Sequence, residues 1–198
     1  MPQNNYDRQD FFENYIKLDR QVKGLEGAPE WPRLRAMLPD LNGKTVLDLG
    51  CGFGWVSRFA RENGAASVLA IDISEKMLER AREATRDDKI IYEKANLEEL
   101  RLPESQYDVV FSSLAFHYIE NISGYYQKEG SRTTNWLAPG IQKQHRTMGT
   151  YINTILKNNL QLTDFIEWCP TEEELQEFPT RKSEMVRPTF LLLSATKC

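Results

Sequence analysis

Asp48, Gly50, Gly52 and Gly54 stand on alternate positions of LDLGCGFGW, at the end of a short apolar run. Alternate glycines permit positive φ and remove the side chains that would keep a ligand off the backbone. A strand that runs through such a turn into a helix brings N–H groups and the positive helix end to one point, which suits a nucleotide-like or anionic ligand. Asp72, in LAIDIS, ends the next apolar run and supplies a second carboxylate. The chain has two histidines, His117 and His145. His117 follows the fourth predicted strand, on the sheet edge where α/β proteins bind ligands; it reads either as a general base or substrate contact or as a locally packed imidazole. His145, in KQHRTMGTY, is expected at the start of a late helix, where it closes over a substrate with Arg146 and Tyr151 or stays a solvated polar residue.

These groups must be positioned by strands and helices, and the pattern supplies both. Phe11, Tyr15, Leu18, Val22 and Leu25 recur at helical spacing, and Trp31, Leu34, Leu38 and Leu41 repeat it, with Pro32 suited to a first turn. Strand and helix then alternate: a strand over 45–49, a helix over 56–63 closed by Gly64, a strand over 68–71, and a helix over 74–85 with Ser74 as N-cap. Further strands are predicted over 90–92 and 107–113. Such alternation implies an α/β fold, a doubly wound, mostly parallel sheet with right-handed crossovers. Past residue 121 the pattern changes: 121–140 is polar and aromatic with little periodicity, 141–159 is a weak helix, and 160–168 and 189–196 look like strands.

Composition narrows the function classes. A net charge of −4 with 25 scattered Lys and Arg provides no footprint for a phosphate backbone, so DNA is disfavoured. Cys51, Cys169 and Cys198 lack zinc-site spacing, so no metal is expected and the thiols read as reduced. With no signal-like or membrane-length apolar run, a cytoplasmic protein off the membrane is expected. Nothing in the sequence speaks to oligomeric state. A dinucleotide-binding turn requires G-x-G-x-x-G, and its third glycine is here the bulky Trp55. A nicotinamide oxidoreductase is therefore a minor alternative.

The combination of Asp48-x-Gly50-x-Gly52-x-Gly54 with Asp72 resembles class I S-adenosylmethionine-dependent methyltransferases. Residues 6–121 carry the likeness. Ala95, Asn96 and Leu97 fall where that family meets adenine, and FSSLAFHYIEN (111–121) and the opening helices are similar to its small-molecule, ubiquinone-biosynthesis-like members. The resemblance implies S-adenosylmethionine as cofactor and S-adenosylhomocysteine as product. It implies Asp72 on the ribose hydroxyls, Asp48 toward the ammonium directly or through water, and the amides of residues 50–54 toward the methionine end. Ile73 or Met77 flanks adenine, Asn96 and Leu97 contact it, and Cys51 and Ser113 complete the donor site. Tyr15, Tyr6 or Trp55 offers a ring face to the cation. His117 is the first expected base and His145 the second, with Tyr125, Tyr126 and Trp136 forming either a lid or an ordinary loop.

The resemblance implies one domain over 1–198: a helical cap (1–42), a cofactor-binding core (43–121), and acceptor-side and C-terminal strands (122–198). The acceptor is expected to be a small molecule. SSLAFH (112–117) is no match for the N-P-P-Y-like turn of base- and glutamine-methylating enzymes. A binding module without catalysis and a tRNA-modifying methyltransferase remain alternatives. The family's fifth strand, with its preceding helix and glycine turn, finds no match in 122–140. Either the strand over 189–196 pairs with the fourth, or an internal segment at about 121–123 is lost. The second is favoured, because a vacant slot leaves interior backbone groups unpaired.

Overall fold

The computed structural model describes residues 4–103, 106–115, 129–185, 188 and 190–197. The chain divides into two compact units, one of Met1–Gly27 with Asp40–Arg146, the other of Ala28–Pro39 with Thr147–Cys198.

In the first unit, helices α1 (Gln9–Tyr15) and α2 (Asp19–Lys23) lead toward β1 (Thr45–Leu49), α4 (Trp55–Glu62), β2 (Ser67–Asp72), α5 (Glu75–Glu83), β3 (Ile90–Lys94) and β4 (Val109–Phe111); α3 (Trp31–Ala36), between them in sequence, belongs to the second unit. The four strands form a parallel sheet in the order β3-β2-β1-β4, with Asp48 between Ala70 of β2 and Phe111 of β4. This is the predicted α/β arrangement. Val46, Val68, Ala70 and Ile90 from the sheet pack with Ala60 of α4 and Leu78 of α5 in one buried cluster.

The helix predicted from Phe11 to Leu25 is two: Leu18 is extended, with φ −65° and ψ 144°, and Val22 is exposed. Residues 129–146 also differ from expectation. Strands β5 (Gly130–Thr134) and β6 (Ile141–His145) form an antiparallel hairpin where an irregular stretch and a helix start were predicted. The hairpin is held by burial rather than by pattern. Ile141 and Ala138 pack on Phe11, which is fully buried, with Tyr6, Tyr15 and Leu137 around them. The Asn14 side-chain amide donates to the Leu137 carbonyl at 3.0 Å, fastening α1 to the hairpin.

The second unit contains α3 with Pro32 in its first turn, α6 (Met148–Lys157), β7 (Leu160–Trp168), α7 (Glu172–Glu177) and β8 (Phe190–Lys197). Thr147 caps α6, and Thr171 with Glu174 forms a capping box on α7. β8 pairs antiparallel with β7 along its length, Trp168 opposite Phe190. The less favoured alternative, in which this strand pairs with the fourth, is thereby overturned, and no fifth parallel strand is present among the described residues.

Candidate active site

The turn after β1 is built by cross-links to the end of β2. The amides of Gly50 and Cys51 both donate to the Ile71 carbonyl, at 2.8 and 3.0 Å. The Gly52 amide donates to Asp72 Oδ2 at 2.9 Å, and the Gly54 amide to the Cys51 carbonyl at 2.9 Å. Gly52 has φ +54°, and Gly54, the N-cap of α4, has φ +71°. Four of the five amides expected to face a ligand are therefore used in holding the turn itself. Its glycines contribute shape more than donors.

Asp72 is the hinge of this arrangement. Its second oxygen accepts the Ser74 amide at 2.9 Å, and burial, helped by the Asp7 charge, pushes its carboxyl above the usual range against the backbone amides of Ser74, Gly52 and Ile73. Ser74 caps α5 by accepting the Met77 amide and donates its hydroxyl to Asp7 at 2.5 Å. Asp7 also accepts the Lys76 amide, and Asn4 donates to the Ile73 carbonyl. The N-terminal 3-10 turn, Asn5–Asp7, is thus tied to the β2–α5 corner. This carries Tyr6 to the same place.

A cleft opens here, enclosing about 730 Å³ with its solvent-open mouth. Gly50, Gly52 and Asp72 form one wall. Ile73, Met77, Asn96 and Leu97 continue it, with Glu98 beside them. Tyr6 and Tyr15, edge to face at 4.9 Å, and Ser113, Leu114 and Ala115 from beyond β4 form the remainder. Sequence reasoning missed Glu98, Leu114 and Ala115. Leu114 has φ +57°, a backbone state for which its side chain gives no signal.

Asp48, Cys51 and Gly54 are not part of the lining. The Asp48 carboxylate is buried and accepts the Ser57 hydroxyl hydrogen at 2.6 Å. Burial first, opposed by Ser57 and reinforced by the Asp72 charge, pushes its pKa up to about 7. Burial likewise raises the Cys51 thiol, so it is inert at neutral pH. Gly54 stands over Tyr92, whose ring occupies the space a β-carbon would need. Trp55 packs under Arg58, with the guanidinium 4.6 Å from the ring centre, and is absent from the lining.

His145 ends β6, opposite Gly130, instead of starting a helix, and it does not line the cleft. His117, Tyr125 and Tyr126 lie outside the described residues. Trp136 packs on Phe11 at 5.7 Å beneath the Lys143 ammonium, so it belongs to the α1–hairpin cluster. Among the described residues no group of His, Cys, Asp and Glu is arranged to hold a metal, and no helix is long and apolar enough to cross a membrane.

A family model described as a methyltransferase domain matches residues 47–129. The crystal structure of an S-adenosylmethionine-dependent methyltransferase from Mesorhizobium loti is 39% identical, with a TM-score of 0.79 over 87% of this chain and 99% of that one. A putative enzyme of the same kind from Listeria monocytogenes is 37% identical, with a TM-score of 0.77 over 88% of this chain and 99% of the other. An uncharacterised Haemophilus influenzae protein is 31% identical, covering 97% of this chain and 96% of itself. That alignment runs over 245 positions, more than the 198 residues present, so the relative carries internal residues with no counterpart here.

Proposed function

This chain belongs to the class I S-adenosylmethionine-dependent methyltransferases, and from that premise we propose that its cleft holds the donor and passes the methyl group to a small-molecule acceptor. The residues fit the donor. A β-carbon on Gly52 would meet only Met77 Cε, at 3.8 Å, so the glycine keeps open a space bordering the cleft. The Asp72 carboxylate accepts the Gly52 and Ser74 amides and feels the Ile73 amide as well, which leaves lone-pair capacity for a diol.

The bound donor supplies a methyl group already activated by its positive sulfur, so the protein's task is alignment and exclusion of water. Asp72 accepts the ribose hydroxyls. Ile73 and Met77 sandwich the adenine edge, while the Asn96 amide and Leu97 backbone meet its polar atoms. The Tyr6 and Tyr15 rings face the cation. Ser113, Leu114 and Ala115 border the acceptor end, and His117, two residues beyond Ala115, is our choice of base for a hydroxyl or carbon acceptor. His145 drops out of that role on its position in β6.

The observation that carries this reading is the meeting of Asp72 with the glycine turn in one cleft that also presents aromatic and apolar residues. The net negative charge supports an acceptor other than nucleic acid, and the free Cys51 and Cys169 accord with a cytosolic setting. Relatives named for an acceptor match part of this chain: the malonyl-acyl-carrier-protein O-methyltransferase of Enterobacter lignolyticus is 39% identical over 45% of this chain and 34% of its own length. The test is a titration with S-adenosylmethionine followed by a screen of whole-cell extract, separated into metabolite, RNA and protein fractions, with methyl-labelled donor. Label in small molecules supports the proposal. Label confined to RNA or protein overturns the acceptor class, and tight binding of NAD in place of the donor overturns the site.

A further inference from the structure

Asp48 is a buried carboxylate directly behind the donor cleft, and the reaction requires the site to release its product. One residue, Leu49, separates it in sequence from Gly50, which lines the cleft. It sits mid-sheet between Ala70 and Phe111, and the groups that act on it are few. From α4 the Ser57 hydroxyl and amide donate to it; from β2 the Asp72 carboxylate repels it; the Cys51 thiol of the turn is the second titratable neighbour. Phe111 faces it from β4 with nothing to titrate. Burial and a second carboxylate oppose its ionisation, and one hydroxyl and one amide favour it, which poises the group near neutrality.

The methyl donor and its product differ by one charge: the donor's sulfonium is positive, and the product's thioether is neutral. A positive charge in the cleft favours ionised Asp48, and a neutral ligand leaves it protonated. We propose that Asp48 tells the cationic donor from the neutral product: donor binding makes its buried carboxyl release a proton to solvent, and methyl transfer lets it take the proton back. The product then sits in a neutral site, and an incoming donor, whose sulfonium brings back the Asp48 charge and its attraction, displaces it. Asp48 touches neither ligand and acts through the charge it places behind the glycine turn. This inference rests on the cleft being the donor site.

The test is titration calorimetry of the whole chain with each ligand at about pH 6.5, in two buffers of different ionisation enthalpy. Donor binding should give buffer-dependent heats, reporting proton release, and product binding should not. The ratio of donor to product affinity should rise toward tenfold per pH unit between about pH 5.5 and 7, then flatten. Asp48→Asn, nearly isosteric, should abolish proton release and flatten the ratio while still binding both ligands. Ser57→Ala removes a donor to the ionised form and should move the rise to higher pH. Buffer-independent heats for the wild type, or a rising ratio that survives Asp48→Asn, overturn the proposal. Should Asp48→Asn not fold, an unmoved profile in Ser57→Ala overturns it. Failure of the wild type to bind either ligand would instead overturn the donor site.

Discussion

Asp72 Oδ2 accepts the Gly52 amide at 2.9 Å, so the end of β2 holds the turn that leaves β1. The carboxylate fixes the turn and, in the proposed donor site, offers its remaining lone pairs to the ribose diol. Asp72→Ala should therefore weaken S-adenosylmethionine binding by about 1–3 kcal/mol, the scale of lost hydrogen bonds at a buried site. Asp72→Asn, which keeps one acceptor oxygen but points an N–H group at a backbone amide, should fall between. Titration calorimetry of both variants checks the order, and unchanged affinity in Asp72→Ala would place the ribose elsewhere.

Gly52 and Gly54 share a left-handed backbone but differ in what surrounds them, and alanine separates the two effects. At Gly52 a methyl finds open space, with Met77 Cε at 3.8 Å, so the stability cost is the conformational one, about 1–2 kcal/mol. Donor affinity should drop far more, because the methyl fills ligand space. At Gly54 the methyl meets the Tyr92 ring, and overpacking adds about 1–3 kcal/mol to the strain. Chemical denaturation should rank Gly54→Ala below Gly52→Ala in stability. Equal stability would mean that Tyr92 swings aside.

Much of the cleft wall was legible in sequence because its signals are local. The runs ending at Leu49 and Asp72 read as buried strands, and Ser74 as a cap, since apolar blocks and a serine before Glu75 suffice to specify them. The hairpin was not legible. GSRTT and IQKQH lack alternating apolar residues, and their order comes from Ile141 packing on Phe11, far away in sequence. Tyr6 reaches the cleft through the Asp7–Ser74 bond, a contact between residues with no sequence relationship. The partners of the glycine-turn amides were not legible for a related reason: acceptors such as the Ile71 carbonyl are decided by register between strands.

Phe11 is fully buried, with Tyr6 edge-on at 5.0 Å and Tyr15 stacked at 5.9 Å, two residues of the cleft lining. Phe11→Ala leaves a cavity under Ile141 and should cost about 3–5 kcal/mol by chemical denaturation. Because its neighbours line the cleft, donor affinity should fall as well, and hydrogen exchange should show residues 130–145 losing protection before β1 and β2. Protection unchanged in the hairpin would mean that it does not depend on α1.

Asp48 ties stability to pH with a definite sign. In the unfolded chain its pKa is near the ordinary 3.8, and in the fold it rises to about 7, so the folded protein binds the extra proton between those values. Stability from this group is fully present below the unfolded value and is lost as pH rises through about 7. The span corresponds to roughly 4 kcal/mol. Asp48→Asn removes the titration and can still hydrogen-bond Ser57, so the variant should gain on the wild type steadily from pH 4 to 7 and hold its advantage above. Denaturation midpoints across that range measure the difference. A wild-type-minus-variant stability that does not change with pH would show that Asp48 is already ionised in the fold at low pH, and the neutral carboxyl behind the turn would have to be abandoned.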